Sequence, residues 1–129
     1  MAGRRLISSG GPWEARYGYS RAVVVGDSCW VAGTTDALPG GGTANPDDPG
    51  AQARAIFGVI SVALSAAGFR LDDVVRTRMF VTDMSRSAEV LAVHGELFGE
   101  LRPAATIVEV SALIEPWALV EIEVDAQRA

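Results

Sequence analysis

Four carboxylates occupy two apolar runs near the end of the chain. Glu109 lies in the first run, and Glu121, Glu123 and Asp125 lie in the second. Side chains alternate along a strand, so the three acids of the second run share one face and the intervening apolar residues share the other. A positioned carboxylate can accept a proton from water or from a substrate. The same row is also typical of a solvated sheet face, which is the favoured interpretation for Glu123 and Asp125.

The single histidine and the single cysteine add little chemistry. His94 lies between Leu91 and Phe98 at helical spacing, which favours a packed histidine over a general base, although histidine titrates near neutral pH. Cys29 lies in an apolar strand pattern and is interpreted as a small core residue rather than a nucleophile. A metal site would have to rest on carboxylates, so none is expected.

The first elements that would position these residues form a hairpin and a long loop. Two β-rich runs, Arg21–Val25 and Ser28–Thr34, flank Gly26 and Asp27, a pair typical of a two-residue turn. The segment 36–50 is rich in glycine and proline and predicts a surface loop. Its three successive glycines, Gly40 to Gly42, are not followed by the Gly-Lys-Ser/Thr pattern of a phosphate-binding loop, so they do not match one.

A helix is predicted to begin at Asp48 and Pro49, with Asp48 as the N-cap, and to end at Gly68 in a left-handed conformation. Gly58 in its middle suggests close packing of a neighbouring backbone. Apolar residues at spacings of three and four predict one buried stripe: Ile56, Val59, Ile60, Ala63, Leu64 and Ala67.

The remaining pattern predicts a strand at Val74–Val81, a second helix at Ala88–Phe98, and strands at Ala105–Val110 and Leu119–Asp125. The order of strands and helices, without strict alternation, predicts a single α+β domain over residues 1–129, with a mixed sheet and two helices on one face. The other face is expected to carry apolar residues beside polar groups, which favours self-association. The apolar residues assigned to it are Cys29, Val31 and Ile107.

Composition narrows the function classes. The net charge is −5, and Arg4-Arg5 is the only cluster of basic residues, so a nucleic-acid partner is not expected. No apolar stretch approaches the roughly 20 residues that span a bilayer, and the first residues lack the apolar run of a signal peptide. Together with the single cysteine, these features predict a soluble cytoplasmic protein without a membrane partner.

Several segments together resemble the reactive intermediate deaminase (RidA, YjgF-type) family. They are Gln52–Arg54, Ala66–Phe69, Leu71–Met84, Pro103–Val110 and Val120–Glu123, and their order and spacing match the family from about Tyr17 to Ala126. The resemblance implies a chorismate-mutase-like fold and a homotrimer with small-molecule clefts between subunits. It also implies hydrolysis of enamines and imines, such as 2-aminoacrylate, without a cofactor.

The resemblance also identifies site residues. Tyr19 matches the site tyrosine, Gly33 matches the glycine whose backbone contacts the ligand, and Glu121 matches the carboxylate that positions water. The family arginine that holds a substrate carboxylate is replaced by Ala105, and Ile107 stands where a cysteine is common. Loss of a charge-assisted hydrogen bond costs about 1.5–3 kcal/mol, so 2-aminoacrylate is expected to be a poor substrate.

Three further residues are candidates for substrate binding. Arg102 and Arg21 could each replace the missing cation, although a surface or interface ion pair is the favoured interpretation of both. Trp117 could line the mouth of a cleft, whereas Trp13 and Trp30 are expected to serve packing. The sequence thus predicts a divergent enamine or imine deaminase that uses Glu121. The alternative is a non-catalytic trimer that binds a small metabolite, and the ribonuclease label of some relatives is the weakest of the three.

Overall fold

The predicted hairpin around Gly26 is present. In the computed structural model, which describes residues 3–129, strand β2 (Ala22–Val25) pairs antiparallel with β3 (Ser28–Thr34). Gly26 has a φ of 58°, a conformation that a tight turn requires and that glycine adopts without strain. Two elements precede the hairpin that the sequence did not predict, namely strand β1 (Arg4–Ile7), paired antiparallel with β2, and helix α1 (Pro12–Tyr17).

Helix α2 (Pro49–Ala67) begins and ends as predicted. The Asp48 side chain accepts a hydrogen bond from the Ala51 N–H at 3.0 Å, and Pro49 occupies the first turn. Gly68 has a φ of 85°, and its N–H donates to carbonyls of the last helical turn. Both ends of α2 are therefore capped by the residues that the sequence placed there.

Over residues 56–67, the buried stripe of α2 differs from the prediction at two positions. Val59 is 40% exposed, whereas Phe57, which the periodicity did not include, is buried. A Cβ built on Gly58 would meet nothing within 4 Å, so no neighbouring backbone approaches it and the expected close packing is absent. By length and hydropathy alone, α2 is also apolar enough to cross a membrane, whereas the sequence analysis expected no apolar stretch of that length. Its buried side is part of the protein core, which accounts for its apolar composition.

The remaining elements complete a six-stranded sheet in the order β1-β2-β3-β6-β4-β5. They are strand β4 (Val74–Val81), helix α3 (Ser87–Phe98), strand β5 (Ala104–Glu109) and strand β6 (Val120–Gln127). All neighbouring strands are antiparallel except β4 and β5, which are parallel. The predicted α+β domain with a mixed sheet is confirmed.

Helices α2 and α3 cover one face of the sheet, as predicted. The core lies between these helices and the sheet. Three residues assigned from the sequence to the opposite face lie on this side instead. Cys29 and Val31 are buried in the core, and Ile107 packs against it. The residue of β3 that projects from the uncovered face is Trp30, which is 46% exposed. The uncovered face, called the open face below, is therefore lined by other residues than expected.

Gln52 joins the long loop, α2 and the segment before β6. Its side chain is fully buried, and its Nε2 donates to the carbonyls of Asn45 at 3.1 Å and Trp117 at 3.0 Å. Its Oε1 accepts from the Leu119 N–H at 2.9 Å. A buried amide with all these partners is satisfied, so Gln52 ties the long loop and the segment before β6 to α2.

Candidate functional site

The open face combines an apolar end with a charged centre. Its apolar end is formed by β1, β2 and β3, with Leu6, Val23 and Trp30 side by side. Its centre is formed by β6 and β4, where the acids of β6 lie opposite Arg76, Arg78 and Phe80. A shallow depression of about 790 Å³ lies over this face and is bordered by α1.

The three acids of β6 share the open face, as predicted, but they have different surroundings. Arg78 Nη1 lies 3.3 Å from Asp125 Oδ2 and 3.8 Å from Glu123 Oε1. Glu121 forms no ion pair and accepts no side-chain or backbone hydrogen bond from any residue in the range 3–129. Glu123 and Asp125 are therefore occupied by a structural contact, and Glu121 is left available for a ligand or a water molecule.

Glu121 is half-buried, and burial raises the pKa of its carboxyl. The positive charge of Arg21 opposes this rise in pKa, and the neighbouring Glu123 adds to it. A carboxyl whose pKa lies above its ordinary value is a stronger base once ionised than an exposed glutamate. Its surroundings thus suit Glu121 for proton transfer at a pH nearer neutrality.

Gly33 packs directly against this carboxylate. A Cβ built on Gly33 would lie 2.6 Å from Glu121 Oε2 and 3.2 Å from Glu121 Cδ, closer than any real side chain approaches. The absence of a side chain at Gly33 therefore lets Glu121 occupy its present position. The family resemblance pointed to both residues but did not reveal that they touch.

Arg21 lies at the start of β2 and reaches across to β3. Its Nη2 donates to the carbonyls of Ala32 at 2.9 Å and Gly33 at 2.8 Å. Its Nε is buried and has no partner among the described residues. Burial lowers the pKa of Arg21, whereas Tyr19, Glu14 and Glu121 raise it. Arg21 is thus a half-buried cation close to Glu121, and the surface ion pair favoured from the sequence is absent within the described residues.

Tyr19 is 45% exposed and borders the depression. Its N–H donates to the carbonyl of Glu14 in α1 at 3.0 Å, which fixes the backbone at the entrance to β2. The Glu14 side chain is buried and accepts hydrogen bonds from the Ser9 N–H and hydroxyl. Burial raises the pKa of Glu14, but these hydrogen bonds lower it further, so the net change is downward. Glu14 was not identified from the sequence, where its only signal is an acid in the first turn after Pro12.

Trp13 and Trp30, expected to serve packing, are both about half exposed. Trp13 stacks on Tyr17 with ring centroids 5.6 Å apart, and the Arg16 guanidinium lies over both rings. Trp30 borders the depression on the open face. Trp30 therefore presents aromatic surface on the side of the sheet that carries Glu121.

A second group of predicted site residues lies away from Glu121. Ala105 pairs with the buried Thr77, and Ile107 pairs with the buried Met79, so both are on the helix-covered side of edge strand β5. Glu121 is opposite Phe80, which pairs with Val108. Ala105 is therefore two strands across and three residues along from Glu121, roughly 10 Å in each direction, and on the other face. Within one chain these residues cannot contact the same small ligand.

Arg102 is also remote from Glu121. Arg102 is exposed in the turn before β5, with a left-handed φ of 54°, and forms no ion pair with a described residue. Trp117 lies in the segment before β6, where its carbonyl accepts from Gln52, and neither Trp117 nor Glu121 lines the depression. The structure thus places Arg21 and Gly33 beside Glu121, with Tyr19 near Arg21, and separates this group from Ala105, Ile107 and Arg102.

His94 is a packed histidine, as favoured from the sequence. Its Nε2 lies 2.8 Å from the Thr77 hydroxyl, and its ring packs beside Phe57 and Phe98. Burial lowers its pKa. Because Thr77 belongs to the helix-covered side, His94 is separated from Glu121 by the sheet. Within residues 3–129 no three His, Cys, Asp or Glu side chains are grouped as metal ligands.

Comparisons with known proteins agree with this architecture. The sequence model described as endoribonuclease L-PSP matches residues 12–128. The chain is 48% identical to Rv2704 of Mycobacterium tuberculosis, a member of the YjgF/YER057c/UK114 family. The two structures superpose with a TM-score of 0.88, covering 98% of this chain and 100% of that one. The Rid-family protein YyfA of Yersinia pestis is 31% identical, with a TM-score of 0.85 and coverage of 98% and 100%.

A RutC family protein of Pyrococcus horikoshii is 36% identical over 85% of this chain and 86% of its own length. The family model and the superposed Rv2704 structure both cover the strands that carry Gly33 and Glu121. The chain therefore belongs to the endoribonuclease L-PSP family, which is the YjgF or RidA family predicted from its sequence.

Proposed function

We propose that this protein hydrolyses a small imine or enamine, using a water molecule positioned by Glu121. The observation that carries the proposal is the state of Glu121. It is the one acid of β6 that Arg78 does not hold, and it is half-buried beside Arg21 and against Gly33. A carboxylate held without a partner in a partly desolvated position is suited to general base catalysis.

The chemistry requires only proton transfers and orientation. An enamine first takes up a proton at carbon to become the iminium ion, which is also the protonated form of an imine. Glu121 then accepts a proton from water while the water oxygen bonds to the iminium carbon, giving a neutral carbinolamine. Glu121 returns that proton to nitrogen and takes the hydroxyl proton as the carbon–nitrogen bond breaks, which releases ammonia and leaves a carbonyl compound; the proton held by Glu121 then passes to solvent. No cofactor takes part, and positioning of the water supplies much of the rate gain.

The complete site is proposed to lie between copies of the chain in a homotrimer. Two observations support this part of the proposal. The open face exposes Leu6 and Trp30, at 63% and 46%, beside the charged centre. In addition, Ala105, Ile107 and Arg102 on or beside edge strand β5 are too far from Glu121 to act with it in one chain. An adjoining copy can bring its β5 edge to the open face and complete the cleft.

The proposed substrate lacks a carboxylate group. Ala105 offers no cation, and Arg21, whose charge acts on Glu121, already donates to the Ala32 and Gly33 carbonyls. Wild-type turnover of 2-aminoacrylate is therefore expected to be weak. Ala105→Arg is expected to raise it about ten- to a hundred-fold, the worth of one charge-assisted hydrogen bond. Wild-type turnover that already equals the Arg variant would show that another residue supplies the cation.

The alternative proposal is a non-catalytic trimer that binds a small metabolite, in the cytoplasm like the enzyme. It is favoured by the absence of a cation at Ala105, because a site that does not hold the family's carboxylate substrate for hydrolysis can still bind an uncharged metabolite. Glu121→Gln separates the two proposals. It keeps the size and most hydrogen bonding of the side chain and removes its ability to accept a proton.

The test is ammonia release from a panel of imines and enamines generated in situ, measured above the uncatalysed rate. For the best substrate we expect Glu121→Gln to reduce turnover about a hundred- to ten-thousand-fold, with affinity changed less than about ten-fold. Glu123→Gln is the matched control, because Glu123 lies on the same strand and face but contacts Arg78. Equal turnover in the wild type and the Glu121 variant would contradict the hydrolase and favour the binding protein.

The assembly is tested separately by light scattering. A homotrimer is expected at micromolar concentration. A particle of 13.5 kDa, the mass of one chain, would contradict both the trimer and the shared cleft. The substitution Trp30→Glu places a charge on the open face and should shift the assembly toward monomer if that face is the interface.

A further inference from the structure

Strand β3 contains an irregularity next to Glu121. Val31 pairs with Val124 and Thr34 pairs with Ile122, so β3 advances three residues where β6 advances two. Ala32 and Gly33 together therefore oppose Glu123, which is the arrangement of a β-bulge. Bulges are common beside active sites, where they redirect a side chain or a backbone group.

Arg21 holds this bulge from the adjacent strand. A single guanidinium nitrogen, Nη2, donates to both bulge carbonyls, at 2.9 Å for Ala32 and 2.8 Å for Gly33. The backbone of Arg21 is fixed on both sides, since its N–H donates to the Ile7 carbonyl at 2.9 Å and its carbonyl accepts from the Ala32 N–H at 3.0 Å. The guanidinium is therefore anchored at its backbone and at its tip, and it sets the conformation of Gly33.

The conformation of Gly33 in turn sets the position of Glu121. The Cα of Gly33 faces the carboxylate so closely that no Cβ fits between them. Arg21 thus acts on Glu121 in two ways, through the backbone of Gly33 and through its own charge. No ion pair within 4.0 Å joins the two side chains, so the charge acts across a gap and leaves both carboxylate oxygens free.

We infer that Arg21 is a positioning residue for Glu121, which it serves by locking the Ala32–Gly33 bulge and by placing a fixed positive charge beside the carboxylate. This inference rests on the proposed function for its relevance to catalysis, but its physical content can be measured without a substrate. It assigns Arg21 a different part from the substrate-binding cation that the sequence suggested.

The charged and titratable groups around Glu121 make the effect of Arg21 specific. Glu123 on the same strand disfavours a second negative charge, whereas Arg21 at the start of β2 favours it. Neighbouring β3 contributes Gly33 and neighbouring β4 contributes Phe80, neither of which titrates. Tyr19 and Glu14 lie near Arg21 and raise its pKa. Arg21 is therefore the group that favours the ionised form of Glu121 against burial and against Glu123.

The experiment is an NMR titration of the Glu121 side-chain carboxyl carbon in the unliganded protein, assigned with Glu121→Gln. The wild type is compared with Arg21→Met and Arg21→Lys. Arg54→Met is the control, because Arg54 is an exposed arginine of α2 that pairs with Glu96. Backbone amide signals of Ala32 and Gly33 are recorded in the same samples to follow the bulge.

We expect the Glu121 titration midpoint to move to higher pH in Arg21→Met, to stay near the wild-type midpoint in Arg21→Lys, and to be unchanged in Arg54→Met. The Ala32 and Gly33 amide signals should move most in Arg21→Met, which has no donor, and less in Arg21→Lys, whose ammonium can donate to both carbonyls but ends one atom short of the Nη2 position. For a hydrolysed substrate, loss of the bulge should lower turnover about ten- to a hundred-fold, the effect of misplacing a catalytic group by an ångström or less.

An unchanged Glu121 midpoint in Arg21→Met would overturn the inference, even if the bulge signals moved, because Arg21 would then have a structural role only. If Arg21→Met does not fold, Arg21→Gln takes its place, and an unchanged Glu121 midpoint in that variant would overturn the inference equally. The titration needs no turnover. A wild-type protein that hydrolyses none of the substrates would therefore contradict the proposed function, but the titration of Glu121 could still be interpreted.

Discussion

Gly33→Ala adds one methyl group at the point where β3 approaches Glu121. The new Cβ would lie 2.6 Å from Glu121 Oε2, whereas ordinary contacts begin near 3.4 Å. The carboxylate is the free end of a side chain and can rotate away, so it must move by about 0.8 Å. Gly33 does not have a positive φ, so alanine adds no backbone strain there.

The expected result is a large loss of activity with little loss of stability. Misplacement of a catalytic group by about 1 Å costs about a hundred-fold in rate, so a shift of this size should lower turnover by tens-fold to a hundred-fold. The free energy of unfolding should change by less than about 1 kcal/mol, because the methyl group displaces only a mobile carboxylate and alanine restricts the unfolded chain.

The measurements are ammonia release from the best imine substrate and urea unfolding. Gly58→Ala is the matched control, since a Cβ there meets nothing within 4 Å. It should leave turnover unchanged and raise stability by roughly 0.5–1 kcal/mol, because alanine favours a helix interior more than glycine does. Full turnover in Gly33→Ala would refute the reasoning, as would a loss of turnover explained by unfolding.

Three further predictions concern stability. Gln52→Leu should lower the free energy of unfolding by about 2–4 kcal/mol in urea titrations, because three backbone groups lose their partner. His94→Gln should remove part of the loss of folding stability that the wild type shows at acid pH. Burial lowers the pKa of His94, so the unfolded chain binds its proton more readily, and wild-type stability should fall as the pH drops below about 6.5; parallel melting curves of the two proteins from pH 7 to 5 would contradict this. Burial raises the pKa of Glu121, so its ionisation opposes folding. Glu121→Gln should therefore melt at a higher temperature than the wild type at pH 8, and the difference should vanish as the pH falls through the folded-state pKa; a gain that persists at acid pH would argue against this cause.

The elements with strong local signals could be predicted from the sequence. Asp48, Pro49 and Gly68 gave both ends of α2, because capping depends on residue type and on hydrogen bonds within a few residues. Strand β1 and helix α1 were not predicted. Each is short, and β1 contains two arginines, so neither shows an amphipathic period that could be recognised.

The faces of individual strands were harder to predict than the strands themselves. Cys29, Trp30 and Val31 are three successive apolar residues, so alternation alone could not decide which of them point to the core. The large Trp30 lies on the open face, and its smaller neighbours are buried.

The chemistry of Glu121 depended on contacts between distant segments. The alternation along β6 was predicted, but the separation of Glu121 from the other two acids comes from the register of β6 against β4, which brings Arg78 to Glu123 and Asp125. The bulge in β3 and the hydrogen bonds that Arg21 donates to it likewise leave no recognisable pattern in the local sequence. Sequence therefore indicated the residues of the site, and tertiary register decided which one is free to act.

The central place of β6 determines when this domain can fold. Strand β6 follows every other strand in the chain, yet it lies between β3 and β4 and is the only strand that pairs with both within the described sheet. A nascent chain that ends before Val120 therefore has two separate sheets, β1-β2-β3 and β4-β5, with unpaired edges that cannot join. The sheet closes only when β6 has left the ribosome. Because Glu121 belongs to that strand, closure of the sheet and completion of the site are one event, and a chain truncated before β6 can have neither.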